Sequence, residues 1–162
     1  MPPRARRAAR TKAVLLERLK AHGQTTTCEA DPHLIADGER IEPIVLGAMR
    51  LAFALPAACA DIRLLSRTFV PAHTCAASTD PRSLGICVKR LQIDGDDIAL
   101  ADLDGQGWDG LETYPDATVQ RWTRGDTPMP SSARLIVIDL ATPGFYWQEP
   151  KEDDVVPFRR RA

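Results

Sequence analysis

The sequence lacks any run of about 18 uninterrupted apolar residues, so no membrane-spanning helix is expected. A secretory leader requires an apolar block of about 7 to 15 residues behind a basic start. Here Ala13 to Leu16 is cut off by Glu17, Arg18 and Lys20, which makes the cytoplasm the default expectation unless another route exports the chain. The catalytic signatures HExxH and GxSxG are missing, as is a glycine-rich phosphate loop. The three histidines, His22, His33 and His73, are scattered. Four cysteines, Cys28, Cys59, Cys75 and Cys87, form no CxxC pair, so the spacing offers neither a zinc nor a redox motif. The expected state of these cysteines is that of small buried hydrophobes, although an even count permits disulfides. No metal and no cofactor is expected.

A strong net charge is also lacking, with 21 basic against 22 acidic residues and a formal charge of -1. A global field toward nucleic acid or anionic lipid is therefore not expected, and neither is specific nucleic-acid binding. The charge is nevertheless uneven. Among the first twenty residues, Arg4, Arg6, Arg7, Arg10, Lys12, Arg18 and Lys20 oppose the single Glu17, a local excess of six, and Arg159, Arg160 and Arg161 stand near the other end. Solvated arms are the simplest reading of such segments, and contact with a phosphate or an acidic surface is the other.

A chain of 162 residues with 44% hydrophobic and 27% charged residues has the balance of a soluble globular protein, and its length suits one domain around one core. Three parts are expected: a basic arm and amphipathic helix over 1–22, a β domain over 23–148 and a charged tail over 149–162. Between Thr11 and His22, Ala13, Val14, Leu15, Leu16 and Leu19 recur at near-helical spacing and Gly23 follows where a helix would stop. So short a helix is marginal alone, so its apolar stripe should dock on the domain or on a partner.

Beyond Gly23 the punctuation is that of a β protein. Strands are expected at His33 to Ala36, Ile41 to Leu46, Arg50 to Leu55, Asp61 to Ser66, Gly85 to Ile93, Ile98 to Leu100, Thr118 to Thr123 and Arg134 to Leu140. Asp37-Gly38 and Asp94-Gly95 suit the left-handed corners of two-residue hairpins. In Gly85 to Ile93 the apolar residues change parity at Lys89-Arg90, which a bulge would repair, and Cys87 should face away from Ile86 and Val88. Arg134 to Leu140 is apolar on both parities, the mark of a central strand. Many short strands without crossover helices predict a mainly β fold, an antiparallel, jelly-roll-like β-sandwich with a short N-terminal helix.

The segments Phe69-Val70-Pro71-Ala72, Asp80-Pro81-Arg82-Ser83-Leu84-Gly85-Ile86-Cys87-Val88 and Leu91-Gln92-Ile93-Asp94-Gly95 come first in an ordered pattern. Gly107-Trp108, Glu112, Arg121-Trp122-Thr123-Arg124-Gly125, Leu135 to Leu140 and Tyr146-Trp147 continue it. The whole resembles the β-sandwich accessory region that follows the Hint (hedgehog/intein) domain in alphaproteobacterial proteins, and jelly-roll-like modules of glycan-handling proteins. The resemblance spans about Leu15 to Trp147 and implies an accessory module with no established activity. It does not carry over Hint autoprocessing, because the nucleophilic Cys or Ser at a splice junction and the His-Asn block are not present. The chain departs from the pattern at Thr113 to Val119, where extra residues separate Glu112 from the Arg-Trp pair.

Trp108, Glu112, Arg121 and Trp122 form the candidate ligand site. An indole can stack on the apolar face of a sugar ring while a carboxylate and a guanidinium bond its hydroxyls. In the structural alternative, Trp122 packs in the core and Arg121 pairs with Glu112 to pin a loop. Asp80 and Arg82 are expected to pair and fix the entry to the long strand, with Gly85 allowing close backbone approach. Asp94, Asp96, Asp97, Asp102 and Asp104 crowd one stretch but lack the ligand order of a calcium loop. His73 and Cys75 would share a face on a strand, a weak hint of a thiol and base. The expected function is a noncatalytic binding or accessory module with a glycan or protein partner. An assembly or tethering domain acting through the helix and basic arm is the rival, and a glycan-acting hydrolase using Glu112 and Asp109 is the remote one.

Overall fold

The computed structural model describes residues 3–56, 58–103 and 105–148, with side chains from residue 7. The tail assigned to 149–162, including Arg159, Arg160 and Arg161, and Asp104 lie outside the described residues. Helix α1 runs Pro3–Ala21, longer at its start than the apolar spacing predicts, because the Arg-Ala segment consists of good helix formers. Gly23 ends it at φ 82°. The amide of Gly23 donates to Lys20 O and that of Gln24 to Leu19 O, a Schellman closure that only a residue tolerating positive φ makes cheaply.

The strands that follow are β1 (Thr26–Thr27), β2 (His33–Ala36), β3 (Glu39–Ile41), β4 (Ile44–Gly47), β5 (Arg50–Ala54) and β6 (Ile62–Leu65). After a short helix α2 (Pro71–Thr74) come β7 (Cys87–Ile93), β8 (Asp96–Ile98), β9 (Trp108–Thr113) and β10 (Val119–Thr123). The last are β11 (Asp126–Met129), β12 (Leu135–Leu140) and β13 (Tyr146–Trp147). All named pairings are antiparallel. One sheet has the order β4-β5-β12-β7-β10-β9 with β8 beside β7, and a second has the order β11-β6-β2-β3. Leu34, Ile62, Leu64 and Met129 of the smaller sheet share one buried cluster with Phe53, Val88, Leu91, Ile136 and Ile138 of the larger. The fold is therefore a two-layer antiparallel β-sandwich. Each large aliphatic or aromatic side chain in that interior contributes about 1.5–3 kcal/mol by leaving water.

Several sequence expectations reappear as geometry. Strand β12 lies inside the large sheet between β5 and β7. Asp139 pairs with Arg90 and Leu140 with Val88, so Lys89 is the extra residue of a bulge that restores the inward phase of β7. Asp37-Gly38 and Asp94-Gly95 turn at φ 48° and 88° and at φ 54° and 95°. Both aspartates also accept backbone amides from distant segments, Asp37 from Ala60 and Asp61 and Asp94 from Arg134 and Leu135.

Other expectations are corrected. The strand expected from Ile41 to Leu46 is two strands in different sheets, divided at Glu42-Pro43, since Pro43 has no amide to continue a ladder. The strand expected over Ile98 to Leu100 is β8 at Asp96–Ile98, and Leu100 begins a turn of 3-10 helix. Strand β11 contains Pro128, which is tolerated because β11 is the outer strand of its sheet.

Candidate functional site

The four residues of the expected ligand site are divided between the two faces of the large sheet. Val119 pairs with Thr113, Gln120 with Glu112 and Arg121 with Leu111, so Thr113 to Val119 is the turn of a hairpin. Glu112 therefore shares a face with Gln120, and Arg121 points the other way. Arg121 pairs with Val88 of the inner core, while Trp122 pairs with Cys87 of a second cluster on the outer face. Trp108 joins the inner core at 5% exposure and Trp122 the outer cluster at 7%. Neither indole offers a flat surface to a sugar.

The expected Arg121–Glu112 pair does not form either. The guanidinium of Arg121 donates to the carbonyls of Asp109 at 2.6 Å and Leu100 at 2.8 Å. Glu112 is held on the outer face by Arg82 at 2.9 Å and by the Gln120 amide at 2.9 Å.

Arg82 is the organising residue of that outer face. It binds Asp80 at 2.7 Å, Glu112 at 2.9 Å and Asp109 at 3.5 Å, and Asp109 also meets Arg124 at 3.2 Å. The Arg82 amide donates to the Asp80 carboxylate, so the expected strand-entry cap is present and extends across to β9. Hydrogen bonding to Arg82 holds Asp80 below the usual carboxylate range, and Asp80 and Glu112 raise the guanidinium in turn. A register shift in β9 between the partners of Arg121 and Thr123 brings the Asp109 carboxylate to the same face as Glu112. That shift was invisible in the sequence, because Asp109-Gly110 carries no apolar phase to break. Both carboxylates named for hydrolysis are thus engaged by guanidinium groups.

Beneath this network Phe69, Leu84, Cys87, Trp122 and Tyr146 form the smaller cluster. The Phe69 ring meets Trp122 and Tyr146 edge-on at centroid distances of 5.6 and 5.3 Å. Tyr146 Oη donates to Gly85 O at 2.7 Å, and burial raises its phenol pKa. Burial, with a smaller contribution from Glu112, pushes the Cys87 thiol up to about 12. A Cβ on Gly85 would lie 2.7 Å from Ser66 Oγ and 2.8 Å from Gly125 N, the close approach expected of this glycine.

The aspartate-rich stretch does not gather. Asp94 serves the backbone of β12, Asp97 binds Arg90 at 2.7 Å, and no group of three metal-ligating side chains occurs among the described residues. His73 lies in α2 with Cys75 as its C-cap, so the strand geometry expected for the pair does not arise.

An open surface lies beside α1, apart from the exposed edge strand β4 with Ile44, Val45 and Leu46. Ala9, Lys12, Ala13 and Leu16 are half-buried at helical spacing, and Lys12 Nζ donates to Ser78 O at 2.7 Å. Two adjoining clefts of about 360 and 530 Å³ run along the helix, sharing Leu16, Gln24 and Trp147. His73 and Ala72 line one and Cys75 and Phe145 the other. Val14, Leu15 and Leu19 remain 54%, 52% and 40% exposed. Among the described residues, no helix is long and apolar enough to cross a membrane. No protein-family model, no curated protein and no solved structure matches this chain.

Proposed function

We propose that this chain is a noncatalytic tethering module, in which the sandwich is a rigid base and α1, with the clefts beside it, is the surface offered to a partner. One observation carries the reading. Val14, Leu15 and Leu19 stay about half in water on a helix that carries seven basic residues and one acidic residue. An apolar stripe with so little cover is the usual mark of an interaction surface. The accessory-module resemblance agrees with a role without chemistry of its own.

The test is a panel of probes against the full chain: anionic vesicles, polyglutamate, duplex DNA and a glycan array. At least one non-glycan probe is expected to bind, and to lose binding in Leu15→Glu/Leu19→Glu while the thermal melt stays unchanged. Failure of all three non-glycan probes would overturn the reading.

A second reading rests on Trp147. This half-buried indole borders both clefts among Gln24, Thr26, His73 and Thr74, a mixture of aromatic and polar groups suited to a sugar ring. Signal on the glycan array that disappears in Trp147→Ala would favour it, and a blank array would remove it.

A further inference from the structure

The outward face of α1 has a definite composition. Arg7, Thr11, Val14 and Arg18 follow one another at intervals of four, three and four, and Ala8, Leu15 and Leu19 lie on the adjoining row. All seven are exposed, with Leu15 and Leu19 on the flank that borders the larger cleft, whereas Ala9, Lys12, Ala13 and Leu16 are half-buried. The helix therefore does not need to leave its seat to present three aliphatic side chains flanked by guanidinium groups. Arg18 and Lys20 also sit in its last turn, where cations suit the helix dipole.

Three partners fit such a face to different degrees. A second copy would bring two helices together, each with a charge excess of six, and like charges repel. A nucleic-acid backbone would satisfy the arginines but leave Val14, Leu15 and Leu19 against phosphates. A bilayer with anionic headgroups satisfies both, because aliphatic tips enter the boundary between headgroups and acyl chains while arginine stems lie along it with their charges at the phosphates. Resting on the tethering reading above, we infer that α1 is an in-plane anchor for an anionic lipid surface.

Flotation of the full chain with vesicles tests this. Vesicles of phosphatidylcholine with about 30 mol% phosphatidylserine are expected to carry the protein upward at low salt, and phosphatidylcholine alone at least about tenfold less. About 0.5 M salt should release it by screening. Arg7→Ala/Arg18→Ala should weaken binding roughly tenfold to thirtyfold, each basic residue near the surface contributing about fivefold. Leu15→Glu/Leu19→Glu should abolish binding, with the circular dichroism spectrum of each variant unchanged.

No flotation with the anionic vesicles, or flotation that both variants retain, overturns the lipid anchor. If polyglutamate or duplex DNA then binds through these same residues, the tethering reading stands without the lipid. If no probe binds through α1, both fall.

Discussion

Two apolar junctions of the protein, one between its sheets and one between α1 and the sandwich, are built from the same residue types. Between the sheets, Leu34, Phe53, Ile136 and Ile138 are fully buried. Along α1, Leu15 and Leu19 are half in water, and Lys12 to Ser78 is the hydrogen bond that ties the helix to the sandwich among the described residues. The difference is one of closure. A strand in a ladder has its side chains directed by register, so the facing parts of the two sheets close over each other, although Ile44, Val45 and Leu46 of the edge strand β4 stay exposed. A helix beside a curved flank touches along one stripe and leaves its shoulders free. Leucine count does not distinguish a closed core from a half-open face; the geometry of the second layer does.

Five measurements sharpen or break this contrast. Phe53→Ala removes a fully buried ring from the inter-sheet core and should lower stability by about 3–5 kcal/mol in urea denaturation. A loss below about 1 kcal/mol would mean that the layers are not close-packed there. Gly85→Ala drives a methyl toward Ser66 Oγ and the Gly125 amide and should cost about 1–3 kcal/mol, read as a lowered Tm.

Cys87 gives a pH signature. Its thiol is pushed up to about 12 in the folded protein, whereas an unfolded cysteine ionises near about 8.5. The unfolded state therefore releases its proton first. The contribution is fully present below about pH 8.5 and is lost as pH rises from there toward the folded value. Cys87→Ala should flatten that alkaline loss. In native protein, a thiol reagent should modify the exposed Cys28 and Cys75 quickly and Cys87 only on unfolding. The smallest effect is expected at α1, where Leu15→Glu/Leu19→Glu should move stability by no more than about 0.5 kcal/mol, because exposed positions away from packing are nearly neutral. A large loss would show that the helix shoulders are buried in solution.

Much of the fold was legible because the signals are local. A strand apolar on both parities must be covered on both faces, which placed β12 inside its sheet. A phase error inside one strand must be absorbed locally, which located the bulge at Lys89-Arg90, and the pairing makes Lys89 the extra residue. Asp-Gly corners tolerate positive φ and were read correctly at residues 37–38 and 94–95. Strands β9 and β11 were not legible, since Gly110 and Pro128 interrupt the pattern while edge positions tolerate both. The candidate site was legible only in part. The Asp80–Arg82 pair is a near neighbour contact and was anticipated; its extension to Asp109 and Glu112 joins residues about thirty apart and depends on the β9 register shift.

By itself, the sequence determined the strands β2, β5, β6, β7, β10 and β12, the hairpin corners, the end of α1 at Gly23 and the sandwich class, because each follows from backbone preference or from the period of apolar residues. Tertiary structure alone decided which side of a sheet each side chain faces across a hairpin. That placement separated Trp108 and Arg121 from Glu112 and Trp122, buried both indoles and left the shoulder of α1 in water. Strand register fixes those relations, and register is a property of two chain segments together rather than of either one.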